Sequence, residues 1–169
     1  MDTGTSIPPQ LCTGCAQPYV AIPIHINADE WVNPDFAITE LTDWLNANCI
    51  KTAGPLFYRY HTLGNLNNLL SIEVGYPVTT QAQVCGRFIA GNIPQGTFAT
   101  LVHCGYPGTF HTSLETMQRW AEQQGIQWKY SWQNGKQVWA GCFEFYLTNP
   151  ADVPDKSQCR TAIALLTEQ

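Results

Sequence analysis

The order of secondary-structure signals repeats along this chain, and that repetition most limits how the chain can fold. Both halves have the order strand, helix, strand, strand. The predicted strands are residues 19–26, 56–61 and 70–78 in the first half and residues 97–104, 127–132 and 137–147 in the second. The helices align without gaps when Trp120 is placed on Trp44, an offset of 120 − 44 = 76 residues. Repeated order of this kind predicts a duplicated βαββ unit.

Each predicted helix has an apolar face at helical spacing. The faces comprise Ala37, Leu41, Trp44 and Leu45 in the first helix, and Phe110, Leu114, Met117 and Ala121 in the second. Asn33-Pro34-Asp35 is typical of a helix start, and Gly125 of a helix end. Asn134-Gly135 predicts a tight hairpin between two strands.

The predicted fold class is α+β. Two βαββ units are expected to form one antiparallel sheet with the helices on one face and a ligand pocket between the halves. We expect a single domain at residues 19–169, with pseudo-repeats at about 19–80 and 93–150 and a closing strand at 161–166. Pro23 indicates an edge position or a bulge in the first strand. Residues 1–18 contain three prolines and no periodicity, which predicts a flexible N-terminal arm.

The composition excludes several classes of partner. The chain has 169 residues, of which only eight are Lys or Arg, and its net charge is −5. Binding to nucleic acid requires clustered basic residues, so no nucleic-acid partner is expected. No apolar run approaches the roughly 20 residues that span a bilayer, and the first residues do not form a signal peptide. The chain is therefore expected to be cytoplasmic, with no membrane contact.

The cysteines give no metal pattern. Seven are scattered along the chain, and without an export signal they are expected to be reduced. Cys12 and Cys15 form a single CxxC, whereas structural zinc requires four ligands. No metal and no cofactor are expected, and the role of this pair stays open.

Glu144 is the most informative polar residue, because it lies in an otherwise apolar and aromatic run, GCFEFYLTNP. In a strand, Glu144 shares a face with Cys142 and Tyr146, while Phe143 and Phe145 face the core. A buried carboxylate is hydrogen-bonded, protonated or paired with a cation. From the residues alone, a structural hydrogen-bonded acid and a binding or catalytic acid both remain open. By element order, Glu73 is its expected counterpart in the first half, as a solvated or turn-bonding residue.

Five segments together resemble the GyrI-like small-molecule-binding family, which also occurs as the effector-binding domain of AraC-type and MerR-type transcription regulators. They are residues 54–61 (GPLFYRYH), 72–78 (IEVGYPV), 93–99 (IPQGTFA), 102–106 (VHCGY) and 144–150 (EFYLTNP). The resemblance implies a stand-alone duplicated βαββ domain with an aromatic pocket and an acid at its base. That acid falls on Glu144, beside Tyr146. The other candidate ligand-binding residues are Tyr58, Tyr60, Tyr106, Trp139 and His103.

Three functions follow from this resemblance. The first is binding of an aromatic, cationic or amphipathic drug-like compound, because π faces attract cations and the acid supplies the opposite charge. The second is hydrolysis of strained, cyclopropane-containing natural products, in which Glu144 activates water and Tyr146 donates a hydrogen bond to the electrophile. The third is a protein-interaction module such as a gyrase inhibitor. Whether the chain is an enzyme is left open.

Overall fold

The computed structural model describes residues 7–27, 35–62, 69–105, 110–149 and 152–169. In chain order the elements are β1 (Ile7–Gly14), β2 (Gln17–Asn27), α1 (Asp35–Ala47), β3 (Phe57–Tyr60), β4 (Leu69–Pro77), β5 (Ile89–Ile93), β6 (Gly96–Cys104), α2 (Phe110–Gln124), β7 (Tyr130–Gln133), β8 (Lys136–Trp139), β9 (Cys142–Tyr146), a 3₁₀ turn (Lys156–Gln158) and β10 (Arg160–Leu166). The expected α+β class is confirmed.

Eight strands form one antiparallel sheet in the order β1-β6-β10-β9-β3-β4-β2-β5, and β7 and β8 form a separate hairpin. The two halves of the chain meet at the central pair of strands, β3 and β9, where Tyr58 lies opposite Glu144. On either side of this pair, β4 lies between β2 and β3, and β10 lies between β6 and β9. The two halves of the sheet are therefore related by a pseudo-two-fold axis that passes between β3 and β9.

Both helices pack on one face of the sheet. Residues directly opposite each other on paired strands share a face. One such row crosses the sheet through Ile22, Val74, Tyr58, Glu144, Ile163 and Leu101. Leu41 of α1 packs with Ile22 at one end of this row, and Met117 of α2 packs with Leu101 at the other. Tyr58 and Glu144 therefore lie midway between the two helices.

The opposite face of the sheet carries an aromatic cluster. Phe57 and Phe143 are fully buried there, with ring centroids 5.6 Å apart, and Tyr19 packs edge-on against Phe57 at 5.0 Å. Gly75 allows this close packing, because a Cβ at that position would lie 2.8 Å from both the Phe57 ring and the Val20 carbonyl oxygen. This aromatic cluster packs on the face of the central strands that is opposite the two helices.

Most of the predicted elements are confirmed. Both helices are present, with Ala37, Leu41 and Leu45 of α1 and Met117 and Ala121 of α2 buried as expected; the side chain of Phe110 lies outside the described part of the structure. The β2–β5 pairing stops at Ala21, so Pro23 has no partner on β5. Gly125 follows α2 with a positive φ of 67°, and Asn134 and Gly135 have positive φ angles of 51° and 74° in the β7–β8 turn. These local signals correctly identified backbone conformations that few other residues adopt.

Three predictions are wrong. The predicted strand at 137–147 is two strands, β8 and β9, which belong to different sheets. Ile7–Gly14 forms the edge strand β1 paired with β6, so the predicted arm is not irregular over these residues. Its partners are about 90 residues away in sequence, for example Gln10 opposite Thr100, and the sequence of β1 has no periodic pattern of its own. The assignment of Glu73 as the counterpart of Glu144 also fails. The topological equivalent of β9 is β3, not β4, and Glu73 lies on the opposite face of the sheet.

Among the described residues, no helix is long and apolar enough to span a membrane.

Candidate functional site

Glu144 is a buried carboxylate held by two tyrosine hydroxyls. Only 4% of the residue is exposed. The Tyr60 hydroxyl donates to Glu144 Oε2 at 2.8 Å, and the Tyr146 hydroxyl forms a second hydrogen bond with the carboxylate. Burial raises the pKa of Glu144, and the two hydroxyl hydrogen bonds offset only part of that rise. Glu144 therefore holds its proton more tightly than an exposed glutamate does.

The neighbouring phenols are held in their protonated form. Burial, followed by the negative charge of Glu144, raises the pKa of Tyr58, of Tyr60 and of Tyr146. A phenol with a raised pKa stays a hydrogen-bond donor throughout the physiological range. The cluster thus combines one carboxylate with neutral aromatic rings and hydroxyl donors.

A cleft of about 850 Å³ lies beside this cluster, between α1 and the sheet. It is lined by Asp35, Ile38, Thr39, Pro55, Leu56, Tyr58, Tyr76, Tyr146, Leu147 and Asn149. The rings of Tyr58 and Tyr146 form an edge-to-face pair with centroids 5.3 Å apart at an angle of 73°. This volume falls in the range of small-molecule sites, and three of the walls are aromatic.

Tyr146 connects the cleft to Glu144. Its side chain lines the cleft and its hydroxyl bonds the carboxylate, whereas Glu144 itself lies behind the lining residues. Among the described residues, none of the ten that line the cleft is Lys or Arg, and one of them, Asp35, is acidic. The cleft therefore offers a cation a negatively biased site with aromatic walls.

The structure brings together four of the predicted site residues: Glu144, Tyr58, Tyr60 and Tyr146. Trp139 is 3% exposed and packs in the core beneath α2, against Trp128 and Tyr130, so it does not line this cleft.

The two remaining predicted residues are in different positions. His103 is half-buried on β6 and lies in the same row as Tyr146, with Thr161 of β10 between them. Tyr106 lies outside the described residues. The part that each predicted residue plays in binding stays a prediction.

Sequence reasoning missed four polar or aromatic lining residues: Asp35, Thr39, Tyr76 and Asn149. A signal for Tyr76 existed, because alternation along β4 places it on the same face as Val74 and therefore on the face of Glu144. Asp35 was interpreted as part of a helix start, and nothing local indicated that α1 lies over β4.

The other partly buried carboxylate, Glu73, belongs to a separate network on the opposite face. Glu73 Oε1 lies 2.8 Å from His61 Nε2, and Tyr19 donates its hydroxyl hydrogen to Oε2. Arg59 donates to the Tyr19 hydroxyl at 2.9 Å and to the Ala140 carbonyl at 3.0 Å. Burial alone would raise the pKa of Glu73, but the hydrogen bonds from His61 and Tyr19 lower it. Glu73 is thus a fully partnered structural acid, not the solvated residue that was expected.

No family model matches the sequence, and no curated protein matches it either. Solved structures do match. The C-terminal domain of EcmrR superposes with a TM-score of 0.70 over 95% of this chain and 97% of that domain, at 15% identity. The chain has the GyrI-like fold. It spans 57% of the length of the EcmrR chain in a complex with DNA.

Two other structures share the GyrI-like fold of this chain. SAV2435, solved bound to tetraphenylphosphonium, has a TM-score of 0.57 over 96% of this chain and 94% of that one, at 10% identity. A hydrolase from Listeria innocua has a TM-score of 0.63 over 95% of this chain and 92% of that one, at 11% identity. At such identities the likeness establishes the fold alone.

Proposed function

We propose that this chain binds aromatic, cationic small molecules in the cleft between α1 and the sheet, with Glu144 as the opposite charge. The observation that carries the proposal is the link made by Tyr146, which lines the cleft and hydrogen-bonds to the buried carboxylate. An aromatic cation entering the cleft replaces water next to Tyr58, Tyr76 and Tyr146 while its charge approaches Glu144.

Two physical effects favour a cation over a neutral molecule. The faces of aromatic rings attract cations by roughly 0.5–2 kcal/mol for each well-placed ring. A carboxylate about 6 Å from the cationic centre adds about 3 kcal/mol at an effective dielectric constant of about 20. Because 1.4 kcal/mol is about tenfold in affinity, loss of the carboxylate charge is expected to weaken binding on the order of a hundredfold.

SAV2435 supports the proposal, because a protein of the same fold was solved with tetraphenylphosphonium bound. That ligand also supplies a sharp test. Tetraphenylborate has nearly the same size and shape as tetraphenylphosphonium but carries the opposite charge. A cleft that selects by size and apolar contact alone binds both ions, whereas a cleft that selects by charge binds only the cation. The Glu144→Gln variant then separates the part of the carboxylate from that of the aromatic rings.

The test is isothermal titration calorimetry with both ions at neutral pH, on the wild type and on Glu144→Gln. The matched control is Glu73→Gln, which removes a partly buried carboxylate from the opposite face of the same sheet. We expect the wild type and Glu73→Gln to bind the phosphonium, and Glu144→Gln to bind it about a hundredfold more weakly. Circular dichroism at the titration temperature verifies that each variant is folded.

Equal affinity for the two ions would refute the charge selection. Equal loss of phosphonium binding in Glu73→Gln and Glu144→Gln would show that removing either carboxylate weakens binding, so that Glu144 would have no specific part in the cleft.

A second candidate function is hydrolysis of a strained electrophile. Two features of Glu144 favour it: burial raises its pKa, which makes the carboxylate a stronger base than an exposed glutamate, and two tyrosine hydroxyls lie beside it. Glu144 would take a proton from water as the water oxygen bonds to a ring carbon. The C–C bond of the cyclopropane to that carbon breaks, and its electron pair passes to a carbonyl oxygen conjugated with the ring. As Glu144 becomes protonated, the Tyr146 hydroxyl would turn its single hydrogen from Glu144 to that carbonyl oxygen, which then takes up a proton from solvent. A hydrolase of the same fold is known from Listeria innocua.

The hydrolytic candidate is tested by incubating the protein with a cyclopropane-containing alkylating compound and following ring-opened product by chromatography. Product should form faster than in buffer, and Glu144→Gln should return the rate to the buffer level. An unchanged rate in that variant would remove Glu144 from the reaction.

A further inference from the structure

A second cavity lies along the same helix. It has a volume of about 510 Å³ and is lined by Thr42, Leu45, Asn46, Ile50, Lys51, Thr52 and Tyr76. Tyr76 also lines the 850 Å³ cleft. The two cavities are therefore neighbours that share the ring of Tyr76 as a wall.

The lining residues show that the two cavities are parts of one groove. On α1 they fall at spacings of three and four residues, which is one stripe of a helix: Asp35, Ile38 and Thr39 in the first cavity, then Thr42, Leu45 and Asn46 in the second. From Asp35 to Asn46 is 11 residues, or roughly 16 Å of helix at 1.5 Å per residue.

The facing wall is the segment that follows α1. The chain reverses at Cys49, which has a positive φ of 54°, and residues 50–56 then return beside the helix. Ile50, Lys51 and Thr52 line the second cavity, and Pro55 and Leu56 line the first, in the reverse order to the helix. A bridge between Thr52 and Val78 and the Ala53 N–H to Pro77 carbonyl hydrogen bond of 2.7 Å hold this segment against β4.

The groove is charged differently at its two ends. The end beside Tyr58 and Tyr146 contains Asp35 and adjoins Glu144. The far end contains Lys51, together with the hydroxyls of Thr42 and Thr52 and the side-chain amide of Asn46. Between the ends, the apolar side chain of Ile38 and the ring of Tyr76 supply the middle of the groove. A ligand that matches this order is cationic at one end, apolar in the middle and anionic at the other.

We infer that the groove accommodates an elongated zwitterionic amphiphile. Its aromatic cation lies in the cleft between α1 and the sheet, and its carboxylate extends past Tyr76 to Lys51. This inference rests on the proposed function for the position of the cation. The inference adds two properties of the ligand that the proposed function does not specify: an anionic group at the end away from the cation, and a minimum length. Lys51 is exposed, so its pairing with a carboxylate is expected to be modest, about fivefold in affinity.

The test compares ligands that differ only in the carboxylate. Decyltriphenylphosphonium and carboxydecyltriphenylphosphonium, at concentrations below those at which they form micelles, are titrated into the full chain by calorimetry. A carboxybutyl analogue, which has six fewer methylene groups, tests whether the length of the chain matters. The measured quantity is the ratio of the affinities with and without the carboxylate, in the wild type, in Lys51→Gln and in Lys129→Gln. Lys129 is an exposed lysine that lines neither cavity and controls for the loss of one positive charge.

We expect the carboxylate on the long chain to raise the affinity of the wild type and of Lys129→Gln about fivefold, and to give no gain in Lys51→Gln or on the short chain. Equal affinity of the two long-chain ligands for the wild type would overturn the inference and leave the proposed function standing. A carboxylate gain that persists in Lys51→Gln would also overturn it. If no phosphonium binds at all, the proposed function fails and the inference fails with it.

Discussion

Replacing Glu144 with Gln is expected to stabilise the fold, increasingly so as the pH rises. The residue is 4% exposed, and burial raises the pKa of its carboxyl group above the value of 4.5 that applies in the unfolded chain. Gln has nearly the same shape, and its amide can still exchange hydrogen bonds with Tyr60 and Tyr146. The substitution therefore removes the cost of a buried negative charge with little change in packing.

The magnitude and the direction follow from proton linkage. Below pH 4.5 the carboxyl group is protonated in both states. Between pH 4.5 and the raised pKa of the folded state, only the unfolded chain loses its proton, so the stability of the wild type falls by up to about 1.4 kcal/mol per pH unit relative to the variant. Above the folded-state pKa the difference is constant. For a chain of this size, each 1.4 kcal/mol corresponds to about 3–6 °C in Tm.

Urea unfolding of both proteins from pH 4 to about pH 8 measures this difference. Subtracting the two curves cancels the other titrating groups, because both proteins contain them. The expected difference favours the variant, grows as the pH rises above 4.5 and then becomes constant. A difference that is independent of pH, or that favours the wild type more as the pH rises, would refute the reasoning.

Two further substitutions test the opposite face of the sheet. Glu73→Gln is expected to lower the free energy of unfolding by about 1–2 kcal/mol at neutral pH, because Glu73 has a lowered pKa in the folded state. This contribution is present above pH 4.5 and is lost as the pH falls through the folded-state pKa. A difference in urea unfolding between the wild type and the variant that grows towards acid pH would contradict the assignment. Phe57→Ala is expected to cost about 3–5 kcal/mol, because this fully buried ring packs on Tyr19, Phe143 and Phe145; a loss under 1 kcal/mol by the same method would show that the cluster repacks.

Local signals were enough to predict the two helices and the tight turns. The apolar stripes of the two helices, the glycine after α2 and the Asn134-Gly135 turn each depend on neighbouring residues only. Such features follow from steric and hydrogen-bonding preferences that are present in the chain itself. The sequence therefore predicted both helices and several strands, but it did not predict β1 or β5 or the separation of β8 from β9.

Features set by distant partners were not predictable in the same way. β1 contains two prolines and is mostly exposed, and it becomes a strand because β6 offers an edge. The face of Glu73 depends on the register of β4 against β3, where Arg59 lies opposite Glu73. A shift by one residue would move Glu73 to the other face, and no local pattern specifies that register.

The candidate site likewise has features that a local pattern predicts and features that depend on distant parts of the chain. Alternation along β9 correctly put Glu144 and Tyr146 on one face, and the match between the two halves indicated a shared crevice. The crevice is walled by α1, however, and the residues that α1 and its following segment contribute depend on how the helix lies over β4. This tertiary arrangement excluded Trp139 from the cleft and introduced Tyr76 and Asp35.

The most direct test of the central claim, that Glu144 is the opposite charge for a cation in the cleft, is the pH dependence of tetraphenylphosphonium affinity. The ligand does not titrate, so any change with pH comes from the protein. In the wild type, affinity is predicted to rise as the pH increases through the raised pKa of Glu144, by up to about tenfold per pH unit, and then to level off. In Glu144→Gln the affinity is predicted to be weak and independent of pH over the same range. Parallel pH profiles in the two proteins would contradict the claim.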